Sequence, residues 1–503
     1  MKNLEQQKAI RVAAVLALTL ALAAFAIPAQ AQTFKSLHSF GGGEGTPPDG
    51  AYPNGLVQGT NGYLYGTTEF GGNGGGGDYY GTVFKISTSG TETILDNFNT
   101  GSTPCCGNNA ALALATNGDF YGTVSGNTSA VYKVTPSGAF TLVPTGICNT
   151  ADPPVCGQGP NATLVQASNG DLYGTTEIAG AYDQGVIFKM TLGGAFTILH
   201  SFCETENSGG YCLDGNGPYS ALVQGTNGNL YGVTHVGGAY GAGTIFQITE
   251  AGKFSTLYTF CAVSGCPDGA HPYAALVQGA DGNLYGTTGE DGNCSAFGCG
   301  GTFFTITPSG KLTTLYTFCS LANCADGNYP MALMLATDGN FYGMTGAGGA
   351  NDLGSIFQIT PSGSLTTEHS FDGTDGIVSE DFQPGSWLIQ DTSGTFYGTT
   401  PEGGANYQSC ASCNGTVFSL SMGLGPFVET LPVSGKAGTA VKILGNNLTG
   451  STKVTFNGKT AAFEVISSSE ITTTVPTGAT TGEVQVVTSK GTTLSSNVVF
   501  TVP

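Results

Sequence analysis

The sequence predicts an all-β protein: a seven-bladed β-propeller closed by its N-terminal strand, followed by an immunoglobulin-like β-sandwich. Three observations predict it. A tetrad built on an aromatic–glycine pair recurs as Leu64-Tyr65-Gly66-Thr67, Phe120-Tyr121-Gly122-Thr123, Leu172-Tyr173-Gly174-Thr175, Leu230-Tyr231-Gly232-Val233, Leu284-Tyr285-Gly286-Thr287, Phe341-Tyr342-Gly343-Met344 and Phe396-Tyr397-Gly398-Thr399. The tyrosines are 56, 52, 58, 54, 57 and 55 residues apart, with no helical run between them, a spacing that belongs to arrays of sheets and not to helical solenoids. The texture then changes near Gly423, beyond which cysteine and aspartate disappear.

The elements follow in chain order. Lys2, Lys8 and Arg11 precede an apolar run over residues 12–27, and Ala29-Gln30-Ala31 presents small residues two apart. This pattern predicts a signal peptide over 1–31, cleaved after Ala31. A retained anchor is the alternative, disfavoured because the apolar run is shorter than the roughly 20 residues a span needs. Each repeat reads as four strands, with the fourth copy clearest. A short strand over 221–224 leads to an Asn227-Gly228 turn, strands over 230–234 and 243–248 follow, and 254–260 forms the fourth. Asn-Gly is a strong hairpin signal because both residues accept positive φ. Residues 33–40 resemble a fourth strand placed before the first unit, whereas the seventh unit has no clear fourth strand of its own. The leading strand therefore completes the last sheet, an expectation that gives a propeller over 32–422; an open array with polar caps is the alternative. Over 427–503, short alternating stretches at 440–444, 453–456, 462–466, 470–474 and 483–487 predict a small sandwich.

Composition limits function. Of 503 residues 81 are glycine, only 10% are charged, the net charge is -20 and Arg11 is the sole arginine. Phosphate-tracking nucleic-acid binding needs Lys and Arg and is excluded. No segment after the leader is long and apolar enough to span a membrane. Fourteen cysteines suit an exported chain. Most fall in close pairs, Cys148 with Cys156, Cys203 with Cys212, Cys261 with Cys266, Cys294 with Cys299, Cys319 with Cys324 and Cys410 with Cys413, which read as local disulfides. Adjacent Cys105 and Cys106 have no assigned fate. Zinc is the competing reading, but the Cys410–Cys413 pair lacks a second pair of ligands.

Residues 432–438, 441–448 and 454–458, with 471–476 and 482–486, resemble the IPT/TIG immunoglobulin-like domain over about 75 residues. The repeats, with NGxLYGTT and GTxFxITPSG elements, resemble a family of tandem repeats of secreted bacterial proteins. Neither resemblance implies a catalytic set; the first implies an extracellular spacer or interaction module.

Short turns join strands one to two and three to four on one side of a unit. The longer, variable loops and all the cysteines fall on the other, which is therefore the expected binding face. Candidate ligand-binding residues there are Glu69, Tyr79, Tyr80, Glu177, Tyr182, Asp183, His235, Tyr240, Asp291, Phe297, Glu402 and Tyr407: aromatics to stack on sugar rings, acids to accept hydroxyl donors. For any single one of them, surface decoration is the competing reading. The seven repeated tyrosines read as packing between units. The Asp-Gly pairs at Asp49, Asp214, Asp268, Asp326 and Asp372 read as loop pins that bond backbone N–H groups.

His38, His200 and His369 share a position that holds Tyr258 and Tyr316 in other copies, which makes them poor triad or metal candidates. His235 and His271 remain, but no HExxH, GxSxG, phosphate loop or dinucleotide motif occurs. No cofactor or metal is expected, with calcium a secondary option that lacks a DxDxDG loop. The reading is a secreted, periplasmic or cell-surface protein, more a binder than an enzyme, that recognises an extracellular glycan or protein. A polysaccharide hydrolase or lyase using paired carboxylates and a purely structural envelope protein are the alternatives.

Overall fold

The computed structural model describes residues 32–41, 48–72, 81–98, 110–124, 130–143, 162–178, 180–290, 300–379, 388–405 and 414–503. The segment read as a signal peptide lies outside them. No helix among the described residues is long and apolar enough to cross a membrane. Seven antiparallel sheets make up the repeat region and two four-stranded sheets the C-terminal unit.

The expected closed seven-bladed β-propeller needs correcting. Every repeat sheet is an open ladder whose hydrogen bonds run from its first strand to its fourth and end there, and no sheet closes into a barrel. The reason lies between the units, where the contacts described below run through side chains. The first sheet also departs from four strands, because its opening strand is split into Ala51–Pro53 and Val57–Gln58. The leading strand, Thr33–Ser39, pairs antiparallel with Thr416–Ser421 of the seventh unit. Gln58 of the first unit donates to Thr392 Oγ1 of the seventh at 3.0 Å and accepts its N–H at 2.9 Å.

The repeated residues explain the packing. Tyr65, Tyr121, Tyr173, Tyr231, Tyr285, Tyr342 and Tyr397 are all buried. A hydroxyl buried without a partner would be costly, and in six of the seven the turn residue four positions earlier supplies one. Asn61, Asn117, Asn169 and Asn227 donate to the tyrosine oxygen, and Tyr285 and Tyr342 donate to Asp281 and Asp338. The rings lie against the next unit, as where Tyr65 stacks on Phe120 at 4.1 Å. The following glycine makes room for a third-strand aromatic: a Cβ on Gly232 would lie 2.5 Å from the Phe246 ring.

The fourth-strand aromatic reaches for the loop aspartate. His200 Nε2 is 2.9 Å from Asp214, and Tyr258 and Tyr316 donate to Asp268 and Asp326 at 2.8 Å. The same aspartates accept N–H groups from Cys203, Cys261 and Ser320. In the sixth unit Asp375, not Asp372, takes this role, 2.7 Å from His369.

The C-terminal unit stacks a sheet of Glu429–Leu431, Ala440–Leu444, Glu470–Thr474 and Phe463–Val465 on one of Lys459–Ala461, Lys453–Phe456, Val484–Val487 and Thr493–Ser495. Alternate residues Val441, Ile443, Val454, Phe456, Val484 and Val486 fill the core between them. This sandwich rests on the short-turn side of the repeats. Ser469 Oγ donates to Thr60 O at 2.7 Å, Asn446 Nδ2 donates to Thr392 Oγ1 at 2.9 Å, and Phe427 N–H donates to Thr392 O at 3.1 Å. A cavity of about 450 Å³ lies between the turns at Asn117 and Asn169 and residues 439–442 of the sandwich.

Candidate functional site

The sandwich occupies the turn side, and the longer loops emerge on the other. Its connections are held by disulfides joining Cys203 to Cys212, Cys261 to Cys266 and Cys319 to Cys324. Each lies between the fourth strand of one unit and the first strand of the next. Cys105, Cys106, Cys148, Cys156, Cys294, Cys299, Cys410 and Cys413 lie outside the described residues, as do Tyr79, Tyr80, Asp291, Phe297 and Tyr407.

Three units bring six side chains together on this side. Glu177, His235 and Glu290 follow the second strands of units three, four and five; Tyr219, His271 and Tyr273 precede the first strands of units four and five. Tyr219 Oη donates to Glu177 Oε1 at 2.7 Å. The His235 ring sits 5.5 Å from Tyr219, 4.0 Å from Tyr273 and 4.8 Å from His271. His271 Nδ1 lies 3.0 Å from Glu290 Oε2. The result is an aromatic–imidazole wall with a carboxylate at each end.

The backbone fixes this arrangement. His271 has φ 54° although it precedes Pro272, and Tyr52 and Tyr329 hold the same left-handed conformation before Pro53 and Pro330. A bulky residue in that region is strained by about 1–2 kcal/mol. For His271 the strain is offset by bonds from its N–H to Ala242 O and from Gly289 N–H to its carbonyl, each 2.9 Å.

Electrostatics keep the centre neutral. Burial, reinforced by the neighbouring His271, lowers the His235 pKa from 6.5 to about 3, and its Nδ1 is buried with no hydrogen-bond partner. The bond to His271 lowers Glu290. Burial raises the hydroxyls of Tyr219 and Tyr273. Next to the wall, Tyr273 and Ser220 line a cavity of about 210 Å³ with Met331, Met334 and Leu388. The Ser220 hydroxyl is buried and unpartnered as well.

The other sequence candidates fall in separate places. Tyr182 and Tyr240 are 46% and 52% exposed. Tyr240 neighbours Gly241, whose backbone lies beneath the Tyr211 ring, itself 47% exposed and next to the Cys203–Cys212 bridge. Asp183 is exposed with φ 57°. Glu69 is raised to about 7 by burial. The backbone of Glu402 pairs with Ile377. Cys203, Glu206 and Cys212 cluster as metal ligands would, but both sulfurs are committed to the disulfide.

Sequence reasoning named Glu177 and His235, retained His271 as an unassigned histidine, and missed Tyr219, Tyr273 and Glu290. The usable signal was the recurring proline: Pro218-Tyr219 and His271-Pro272-Tyr273 place large rings where other copies hold Asn54 or Met331.

The family model described as the Gloeobacter/Verrucomicrobia repeat matches residues 23–213, 127–325 and 297–461, and the IPT/TIG domain model matches residues 427–502. Two similar solved structures are described as extracellular domains of hybrid two-component systems from B. thetaiotaomicron. One is 11% identical with a TM-score of 0.46, covering 88% of this chain and 52% of its own. The other is 11% identical with a TM-score of 0.47, covering 83% and 46%. This chain thus spans about half the length of those structures. No curated protein matches.

Proposed function

Because the chain belongs to the Gloeobacter/Verrucomicrobia repeat family and ends in an IPT/TIG domain, we propose that it is an exported, non-catalytic protein that binds an extracellular glycan on its loop side. The observation that carries this reading is the wall of Tyr219, His235 and Tyr273 with Glu177 and Glu290 at its ends. Sugars present apolar C–H faces and rings of hydroxyls. Tyrosine and neutral imidazole faces suit the first, and carboxylates accept the second. The buried His235 Nδ1 offers a polar atom that a hydroxyl would satisfy.

Three further features support the reading. Disulfides in short loops belong to oxidising compartments. The sandwich takes up the opposite side, so it acts as a spacer that leaves the loops accessible. A net charge of -20 disfavours polyanions and leaves neutral glycans as the better class. Both carboxylates of the wall are held by protein donors, an arrangement for orienting a ligand and not for transferring its protons.

Glycan-array screening followed by calorimetry on the full chain tests the proposal. A neutral oligosaccharide binds the parent, and Tyr273→Ala weakens it about tenfold or more, the loss expected from one stacking platform. Tyr182→Ala and Tyr240→Ala show whether the exposed tyrosines extend the surface. Absence of any glycan ligand returns the chain to a structural envelope role, and cleavage of a bound polysaccharide returns it to the hydrolases or lyases.

A further inference from the structure

The fourth-strand position of the repeat does two jobs. Its polar tip meets the loop aspartate, and its ring lies on the residue that opens the next unit's fourth strand. His200 bonds Asp214 and stacks on Phe254 at 3.9 Å; His369 bonds Asp375 and stacks on Phe34 at 3.8 Å. His38 keeps the first job and loses the second. Its Nε2 lies 3.3 Å from Asp49 Oδ2, but the residue at the stacking position is Glu92, with Oε2 3.8 Å from the same nitrogen. Glu92 pairs with Ile86 in the register in which Phe140, Phe196 and Phe254 pair with Val134, Met190 and Ile248.

A carboxylate is out of character there. The Glu92 side chain is only 10% exposed and its Oε1 has no hydrogen-bond partner. No lysine among the described residues forms an ion pair with it.

We infer that His38 Nε2, Asp49 and Glu92 form a binding site for a divalent transition-metal ion, with zinc the best fit. The three ligand atoms lie within 4.8 Å of one another. Tetrahedral zinc with bonds of about 2.0–2.2 Å places its ligands about 3.3 Å apart. The His38–Asp49 separation already meets this; the Glu92 carboxylate, with Oε2 3.8 Å from His38 Nε2 and a ligand oxygen within 4.8 Å of both partners, would have to draw in toward the ion. An imidazole with two carboxylates suits zinc and its neighbours, whereas calcium and magnesium want oxygens alone. Gly41 N–H bonds the Asp49 carboxylate and holds its orientation. The His38 and Asp49 side chains keep 21% and 26% exposure, but His38 Nε2 itself is buried with no hydrogen-bond partner, a ligand atom left unsatisfied by the protein. At His200 and His369 the third neighbour is an aromatic ring, which argues against metal there; of these three histidines only His38 has a second carboxylate beside it.

The test uses the full chain without affinity-tag histidines, titrated with zinc chloride against a chromophoric chelator, and with cobalt(II) followed by visible absorption. Glu92→Phe and His38→Tyr are the informative variants, since both install residues the repeat already uses in these registers. The parent takes up one zinc per chain, gives ligand-field bands with cobalt, and unfolds at higher temperature with zinc. Each variant folds, loses ~100-fold or more in affinity, and shows no thermal shift with the metal. Absence of zinc uptake by the parent, or uptake that both variants retain, overturns the assignment.

Discussion

Glu429 opens the first strand of the C-terminal sandwich and lines a cavity of about 280 Å³ with Val57, Gln58, Leu114, Ile389 and Gln390 of the repeats. Burial lifts its pKa from 4.5 to about 7, nearby Asp391 adds to the rise, and Asn497 opposes it. Asp391 is 2% exposed and is itself raised by burial. A carboxyl at 4.5 in the unfolded chain and about 7 in the folded one takes up a proton on folding, so its contribution runs opposite to that of a salt-bridged acid. Stability is not penalised below the unfolded value; it falls as pH rises between the two, and the loss is complete above the folded value. The rise corresponds to about 3 kcal/mol as an upper limit, and because the residue keeps some contact with solvent the expected effect is about 1–3 kcal/mol. Glu429→Gln removes the charge and keeps the shape. Urea unfolding of both chains should show the variant more stable by that amount near pH 9 and nearly equal near pH 4. Using the difference between chains cancels the similar rises of Glu69 and Glu92. An equal gain at both pH values, or none at the higher one, would refute the claim that an ionised Glu429 strains this junction.

The remaining predictions concern the repeat and its loops. Gly232→Ala forces a Cβ to 2.5 Å from Phe246 and 2.8 Å from Leu222 and should cost about 2–3 kcal/mol by thermal unfolding. Tyr231→Phe, which loses only the Asn227 bond at 2.7 Å, should cost about 1 kcal/mol, so the order of the two separates crowding from hydrogen bonding. Replacing Cys203 and Cys212 together by Ser opens a loop with sequence separation 9 and should cost about 2–3 kcal/mol under the loop-entropy account, with glycan affinity falling more than for the same change at Cys319 and Cys324. His235 should remain neutral at pH 5 by NMR titration, since burial lowers it to about 3. The unfolded chain takes up that proton first, so stability from this group is lost as pH falls below about 6.5, and His235→Phe should flatten that limb.

The all-β character and the unit boundaries were legible because the same physical requirement recurs in each copy. A buried tyrosine needs a hydroxyl partner, and in six copies the turn Asn or Asp four residues before it provides one, so tetrad and turn travel together. Relations between sheets were not legible in the same way. A repeated motif states which strands share a ladder, and it overstated closure because nothing in the period describes how one open ladder meets the next. The sequence points to Asp372 as the loop pin because it begins the first of two Asp-Gly pairs in Phe371-Asp372-Gly373-Thr374-Asp375-Gly376. The structure uses the second, whose glycine sits against Thr400 as Gly215 sits against Thr234.

The candidate site shows where the remaining information lies. Four residues after the repeated tyrosine, one backbone position holds Glu69, Glu177, His235, Gly289, Gly346 and Pro401 in six of the copies. Packing cannot be what selects so different a set, whereas it does select the tyrosine found in all seven. Positions that vary on an invariant frame are the ones open to recognition, and here His235 and Glu177 meet partners contributed by the following unit. Those partners, Tyr219 and Tyr273, lie beyond a whole loop in sequence and follow the repeated proline, so only superposing the copies on that proline would have exposed them. Glu92 belongs to the same class: a place where six copies put an aromatic or aliphatic side chain and one puts a carboxylate. The chemistry of this chain resides in its departures from its own repeat.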